Sequence, residues 1–238
     1  MVLHRKLGVE GSVKAQLMES PEWSGLAEYE VQLVEQSVSI GRHEKGEVIF
    51  SEGDSCGGLY FLTSGLVCIR KARSKPNSTL VKIARPGDTL GYRPLLAAQN
   101  HRASAEALVA STSCFVEKSL VELLMRSNPT LGINFLKRAA VELGEAEERF
   151  HQSVSLSVKE RFIRLLVALQ AEYGHVEEDG KMIVELPVSR ADLAAMLGVR
   201  RESLSRAIHE LSDEGLVQLI GRHLELHEGQ SDENLYRD

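Results

Sequence analysis

The chain has 238 residues, long for one small domain and short for two large ones. Hydrophobic residues make up 43% and charged residues 26%, which excludes a disordered chain and suits a protein that buries real cores. Its 28 basic and 34 acidic residues give a net charge of −6, which leaves room for a locally basic nucleic-acid-binding face.

No apolar run approaches the ~18 residues of a membrane span. The start, MVLHRKLGVEGSVKAQ, lacks the apolar core of a secretory signal. A cytoplasmic protein with no membrane partner is therefore expected. Three scattered cysteines, Cys56, Cys68 and Cys114, suit a reducing compartment and argue against a disulfide framework.

Along the chain, Ser20-Pro21-Glu22-Trp23 predicts a helix start, with serine as N-cap and proline at the first helical position. From about residue 36 to 117, short β-type runs (EVIF, LYFL, LVCIR, LVKIA, CFVEK) alternate with glycine turns. Many short strands at this spacing predict an antiparallel barrel or sandwich. Beyond it the period turns helical. Ser119-Leu-Val-Glu122 predicts a capping box opening a short helix. Pro129 interrupts, and a long helix is expected to about residue 154. On it Ile133, Leu136, Ala140, Leu143, Phe150 and Val154 form a heptad-like stripe, with Glu147 in one slot. Such a stripe marks helix pairing between two copies; packing on the β domain is the plainer alternative.

Ser157-Val-Lys-Glu160 is a further capping box, followed by Phe162, Leu165, Leu166 and Leu169 on one helical face. A strand, KMIVELPV, follows the turn at Gly180. Residues 189–214, SRADLAAMLGVRRESLSRAIHELSDE, then carry the clearest pattern in the chain. Ser189 and Asp192 make a capping box. The helix they open stops at Gly198, which suits the left-handed turn residue. A second helix begins near Arg200 and runs to about Glu214. Ala194 is small where two helices must touch; Leu193, Leu197, Val199, Leu204 and Ala207 supply apolar contacts. This is the pattern of a helix-turn-helix. Arg200, Arg201, Glu202, Ser205 and Arg206 cluster at the N-terminal end of the second helix, the end that enters a major groove. Arginine reads guanine O6 and N7 with two parallel bonds, and glutamate accepts from cytosine N4. GLVQLIGRHLELHE predicts a β-hairpin wing around Gly221-Arg222, whose arginine can touch phosphate.

Motifs of catalysis are missing: there is no G-x-S-x-G, H-E-x-x-H, phosphate-binding glycine loop with lysine, or CxxC, so no enzyme is expected. The competing class is a ligand-binding module that regulates a protein partner without reading DNA; the arginine-rich helix face argues against it.

These features together resemble the Crp/Fnr family of bacterial transcription regulators over roughly residues 30–228. The resemblance rests on Glu52-Gly53-Asp54, Thr63-Ser64-Gly65, Pro86-Gly87-Asp88 ahead of Gly91, the long helix after Asn128-Pro129, and the winged helix-turn-helix. It implies an α+β fold with four parts. These are an N-terminal helical segment (1–30), a double-stranded β-helix or cyclic-nucleotide-binding-like β-roll (31–127), a dimerisation helix (128–155) and a winged helix-turn-helix (156–238). It also implies a homodimer on double-stranded DNA, controlled by a small-molecule or redox signal, with RNA polymerase as a partner if the protein activates. The family's Arg-Glu-x-x-x-Arg is matched by Arg201, Glu202 and Arg206, and its Glu-x-x-Ser-Arg variant by Glu202, Ser205 and Arg206. Base contacts are thus expected from Arg201, Glu202, Ser205 and Arg206, with phosphate contacts from Ser189, Arg190, Arg200, Ser203 and Arg222. A half-site containing TGA, or TGTGA, is implied.

The sensing side departs from the cyclic-AMP pattern. Gly91-Tyr92-Arg93-Pro94 stands where Gly-Glu-Leu is usual, Arg102-Ala103 where Arg-Ser is usual, and Ala146-Glu147 where Thr-Ser is usual. Cyclic AMP is not expected. Gly91, Tyr92, Arg93, Arg102 and Glu147 remain as an effector pocket of unidentified ligand. An iron–sulfur cluster is not expected, since the first 55 residues hold no cysteine. Haem would need His43, His101 or Cys56 as axial ligand, each more ordinary as a core or surface residue. Cys68 and Cys114 read as buried small hydrophobes. His223 and His227 share a face of the wing strand but lack a third ligand, so no metal is expected.

Overall fold

The computed structural model describes residues 12–74, 77–176, 182–185, 188–220 and 223–226. The chain divides into two compact units, Met1–Ala146 and Glu147–Asp238. The boundary falls inside one long helix.

The first unit opens with α1 (Ser12–Glu19) and α2 (Glu28–Ser37), followed by β1 (Ser39–His43), β2 (Val48–Phe50), β3 (Gly58–Ser64), β4 (Val67–Ser74), β5 (Asn77–Ala84) and β6 (Thr89–Leu90). A short α3 (Tyr92–Leu96), β7 (Ser104–Ala107), β8 (Ser111–Glu117) and α4 (Lys118–Ser127) lead into α5 (Pro129–Ser155). The strands form two four-stranded antiparallel sheets, ordered β1-β8-β3-β6 and β2-β7-β4-β5. The period of two decides which core each side chain enters. Along β3, Leu59 and Phe61 point to a core shared with Trp23, Val34, Leu124, Leu131 and Phe135 of the helical layer. Leu62 points the other way, to Phe50, Val67, Ala84, Leu90 and Ala105 between the sheets. The unit is therefore helices packed on a β-roll, and its first helices belong to that packing.

Two expected helix starts fall elsewhere. Ser20 follows the end of α1, its N–H donating to the Gln16 carbonyl at 3.1 Å, and Pro21–Gly25 form a turn. The Ser20 hydroxyl donates to Glu22 at 2.8 Å, and the turn that follows offers no helical N–H for its oxygen to cap. α2 begins only at Glu28, where Glu30 accepts the Ala27 N–H at 2.8 Å. Likewise α4 starts at Lys118 rather than after Ser119, whose side chain makes no cap bond. The Lys118 N–H is already satisfied by the Gly57 carbonyl at 2.8 Å, which carries β8 directly into the helix.

The second unit holds the last turns of α5, then α6 (Val158–Tyr173), β9 (Gly174–Val176), β10 (Met182–Glu185), α7 (Arg190–Met196), α8 (Arg201–Asp213), β11 (Val217–Ile220) and β12 (His223–Leu226). Ser157 caps α6 with the expected box, accepting the Glu160 N–H at 3.2 Å. The four strands form one antiparallel sheet ordered β11-β12-β10-β9. Phe162, Leu166 and Leu169 of α6 are buried, as are Val184, Leu193, Leu204 and Leu211. Among the described residues, no helix is long and apolar enough to cross a membrane.

Candidate nucleic-acid interface

α7 and α8 meet at the expected turn. Ser189 accepts the Asp192 N–H at 3.2 Å, and Asp192 accepts the Ser189 N–H at 3.1 Å and its hydroxyl at 2.7 Å. At the other end Gly198 takes φ +67°. Its N–H donates to the Ala195 carbonyl and that of Val199 to Ala194, at 3.1 and 3.0 Å, the paired bonds of a Schellman stop. α8 ends the same way: Gly215 at φ +70°, with bonds from Gly215 to Ser212 and from Leu216 to Leu211. A residue with a Cβ is strained at either glycine, so both fix where a helix must stop. Arg161 of α6 donates to the Leu197 carbonyl at 2.9 Å, satisfying another α7 end group and tying the turn to the α6 scaffold. A Lys159–Glu214 ion pair ties α6 to the end of α8.

Packing turns α8 so that Leu204, Ala207, Ile208 and Leu211 are buried. Ile208 and Leu211 extend the inner face beyond Leu204 and Ala207 and were legible from the same three- and four-residue spacing. Leu193 and Ala194 are buried as expected, while Leu197 and Val199 are only partly covered. The opposite face presents Arg201, Glu202, Ser205 and Arg206, all exposed, with Arg200 exposed just before them and Ser203 half-buried. Arg200 flanks the helix without a side-chain cap bond. His209 continues this face one turn further, 3.7 Å from Asp213. Among the described residues, Arg200, Arg201 and Arg206 make no ion pair. Arg190 is exposed in the first turn of α7, and the Ser189 hydroxyl is engaged in its cap. β11 and β12 pair in register from Val217↔Leu226 to Ile220↔His223, so the wing is a hairpin with a two-residue connection. Arg222 and His227 lie outside the described residues.

The stripe residues on α5 are exposed. Exposure runs from 50% at Ile133 through Leu136 and Leu143 to 70–71% at Phe150 and Val154, and Ala140 is exposed too. Val141, at 59%, is also exposed but lies about 100° around the helix from Ala140, off the stripe.

The expected effector residues are brought together only in part. Gly91, at φ +88°, precedes α3, and Tyr92 is buried with its ring stacked 5.7 Å from Phe135 of α5. Arg93 lies 3.5 Å from Glu142 of α5. Arg102 and Glu147 are exposed and join no hydrogen bond or ion pair with them. The residues that do assemble were not read from the sequence. Lys82 donates to Glu142 at 2.8 Å, and Arg138 bonds Asp88 at 3.0 Å and approaches Glu142 at 3.4 Å and Glu22 at 3.6 Å. The four-residue spacing of Arg138 and Glu142 on a helix was the available signal. Burial alone raises the Glu142 carboxyl, but Lys82, Tyr92 and Arg138 outweigh it and hold its pKa down to about 2. The Tyr92 hydroxyl lies close to this carboxylate but outside good hydrogen-bond geometry; burial and that negative neighbour push its pKa well above the usual phenol value.

The residues weighed as haem or redox groups sit in the packed roll. His43 is buried and its Nε2 lies 2.9 Å from the Ser113 hydroxyl. His101 is buried and stacks on Phe50 at 3.9 Å. The Cys56 thiol contacts the Gly58 and Gly91 carbonyls, and burial pushes its pKa up. Burial likewise pushes Cys114 up to about 11. Among the described residues, no group of three or more His, Cys, Asp or Glu could hold a metal ion.

Two family models match the chain in tandem: the cyclic nucleotide-binding domain over residues 41–128, and the Crp-like helix-turn-helix domain over residues 160–230. The anaerobic regulatory protein of Bacillus subtilis is 25% identical, the match covering 77% of this chain and 78% of that protein. The nitrogen fixation regulation protein FixK of Bradyrhizobium diazoefficiens is 27% identical, covering 74% and 72%. Among solved structures, FixK2 from Bradyrhizobium japonicum superposes with a TM-score of 0.69 at 24% identity, covering 84% of this chain and 96% of that one. The c-di-GMP responsive regulator CLP of Xanthomonas campestris gives a TM-score of 0.74 at 18% identity, covering 85% and 100%. With the β-roll, the long helix and the winged helix-turn-helix in this order, the chain belongs to the Crp/Fnr family of DNA-binding transcription regulators.

Proposed function

We propose that the protein acts as a homodimer that reads an inverted-repeat operator with two copies of α8. The observation that carries this reading is the exposed face of Arg201, Glu202, Ser205 and Arg206, whose two arginines make no ion pair among the described residues. Arg201 and Arg206 read guanines and Glu202 a cytosine. Arg190, Arg200, Ser203 and Arg222 hold phosphates. Ser189 serves phosphate through the N-terminal end of α7, since its hydroxyl already serves the cap.

Two α5 helices cover each other's stripes about a two-fold axis. That pairing sets the recognition helices about one DNA turn apart, roughly 34 Å, and the half-sites about 10–11 base pairs between centres. When the complex activates transcription, RNA polymerase is its further partner.

Selection of bound duplexes from random DNA tests the reading. An inverted repeat of TGA-containing half-sites is the expected outcome. Recovery of no shared sequence rejects it and favours a regulator that acts through a protein partner.

A further inference from the structure

The β-roll and α5 meet in a set of six charged groups. Lys82, Arg93 and Arg138 supply three positive charges; Glu22, Asp88 and Glu142 supply three negative ones. The set is neutral, and each member pairs with at least one other. Glu142 touches all three cations, and only 13% of its side chain is exposed. A soluble anion entering here would have to displace a tethered carboxylate that is already paired three times. The Lys82 and Arg138 contacts to Glu142 are charge-assisted hydrogen bonds, which offset the cost of partly withdrawing these groups from water.

The set also fixes a helix. Leu131, Phe135, Arg138 and Glu142 recur at steps of four, three and four, so they share one face of α5. Leu131 and Phe135 are fully buried, Phe135 edge-on to Trp23 at 5.5 Å and stacked on Tyr92. Ile133, Leu136, Ala140 and Leu143 lie roughly 150° around the helix at 100° per residue. The inward face therefore sets the rotation at which the outward stripe is offered to a second copy.

We propose that Glu142 is a built-in counter-anion, a positioning residue that latches α5 to the β-roll and holds the chain ready to dimerise and bind DNA with no added ligand. The proposal rests on the homodimer reading above and puts a permanent internal contact in place of the external signal that the family resemblance implies. Asp88 and Glu22 hold Arg138, Lys82 and Arg93 hold Glu142, and Glu142 occupies the position an anionic effector would take in this set.

The test uses the purified full-length chain, sedimentation to read dimerisation, and fluorescence anisotropy on the selected duplex. The wild-type chain should dimerise and bind without additive. Glu142→Gln should weaken both by about tenfold or more, and Glu142→Asp should recover most of the loss, because charge rather than shape is required. If thermal melting shows that Glu142→Gln does not fold, Lys82→Met removes only the strand-side partner and should weaken dimerisation in the same direction. Wild-type dimerisation and binding that appear only after cell extract is added overturn the latch. So does a folded Glu142→Gln or Lys82→Met chain that dimerises as the wild type does. Those results leave the DNA reading standing; a wild-type chain that binds no duplex under either condition overturns both.

Discussion

Lys82, Arg93 and Arg138, where the β-roll meets α5, and Arg200, Arg201 and Arg206, at the start of α8, are two trios of cations treated in opposite ways. In the first trio Lys82 and Arg138 are partly withdrawn from water and Arg93 is exposed, and the three meet the carboxylates of Glu142, Asp88 and Glu22 within the same chain. The second is exposed, with no ion pair among the described residues. Desolvated charge must find a partner within the fold or it destabilises the fold, whereas solvated charge can wait for a partner from outside. α5 repeats the contrast in apolar form, with Phe135 buried on one face and Leu143 uncovered on another. Groups the fold satisfies are structural, and groups it leaves unsatisfied mark where another molecule binds. Substitutions in the first kind should cost stability, and substitutions in the second kind should cost association alone.

The largest effect is expected at the apolar stripe. Leu143→Glu buries a carboxylate beside its symmetry mate and should cost about 3–5 kcal/mol of dimer stability. Sedimentation should find a monomer at micromolar concentration, with circular dichroism unchanged. A native chain that is already monomeric there rejects the pairing.

Next comes the satisfied cluster. The Glu142 carboxyl is held below its ordinary 4.5, at about 2. A depressed carboxyl contributes stability in full above its unfolded pKa and loses it as pH falls through the folded one. Acid should thus remove on the order of 3 kcal/mol between about pH 4.5 and pH 2. Urea melts across this window should show the loss, and Glu142→Gln should flatten it. An unchanged pH profile in that variant refutes the assignment.

The exposed arginines come third. Arg201→Ala should cost about 1–3 kcal/mol per half-site and relax one guanine, with thermal melting unmoved. Equal weakening on specific and random DNA would make Arg201 a phosphate clamp like Arg200. The smallest change is expected for Arg190→Ala, which should weaken all sequences alike and lower the salt slope by about one unit. A change in sequence preference there would move Arg190 among the base readers.

Legibility followed how local the determining interactions are. The helix-turn-helix was readable because its capping box, glycine stop and apolar spacing all lie within 26 consecutive residues. The runs EVIF, LYFL, LVCIR, LVKIA and CFVEK located five strands of the roll. β1, β6 and β7 escaped because SIGRH, TL and SAEA carry no apolar run and become strands only through β8, β3 and the pair β2 and β4. β9 was missed for the same reason, as three residues joined to the end of α6. The Ser20-Pro21 signal failed because a remote constellation claims the serine's neighbour: Glu22 is held by Arg138, 116 positions away.

By itself, then, the sequence determined the helix-turn-helix, the polar outer face of its second helix and the stripe on α5, since each is a periodic pattern whose period is set by the backbone. Only the tertiary structure decided that the expected effector residues part company: Tyr92 and Arg93 join Glu142, while Arg102 and Glu147 stay in solvent. That choice depends on which strand, turn and helix come within about 4 Å of one another, and no spacing along a single segment encodes it.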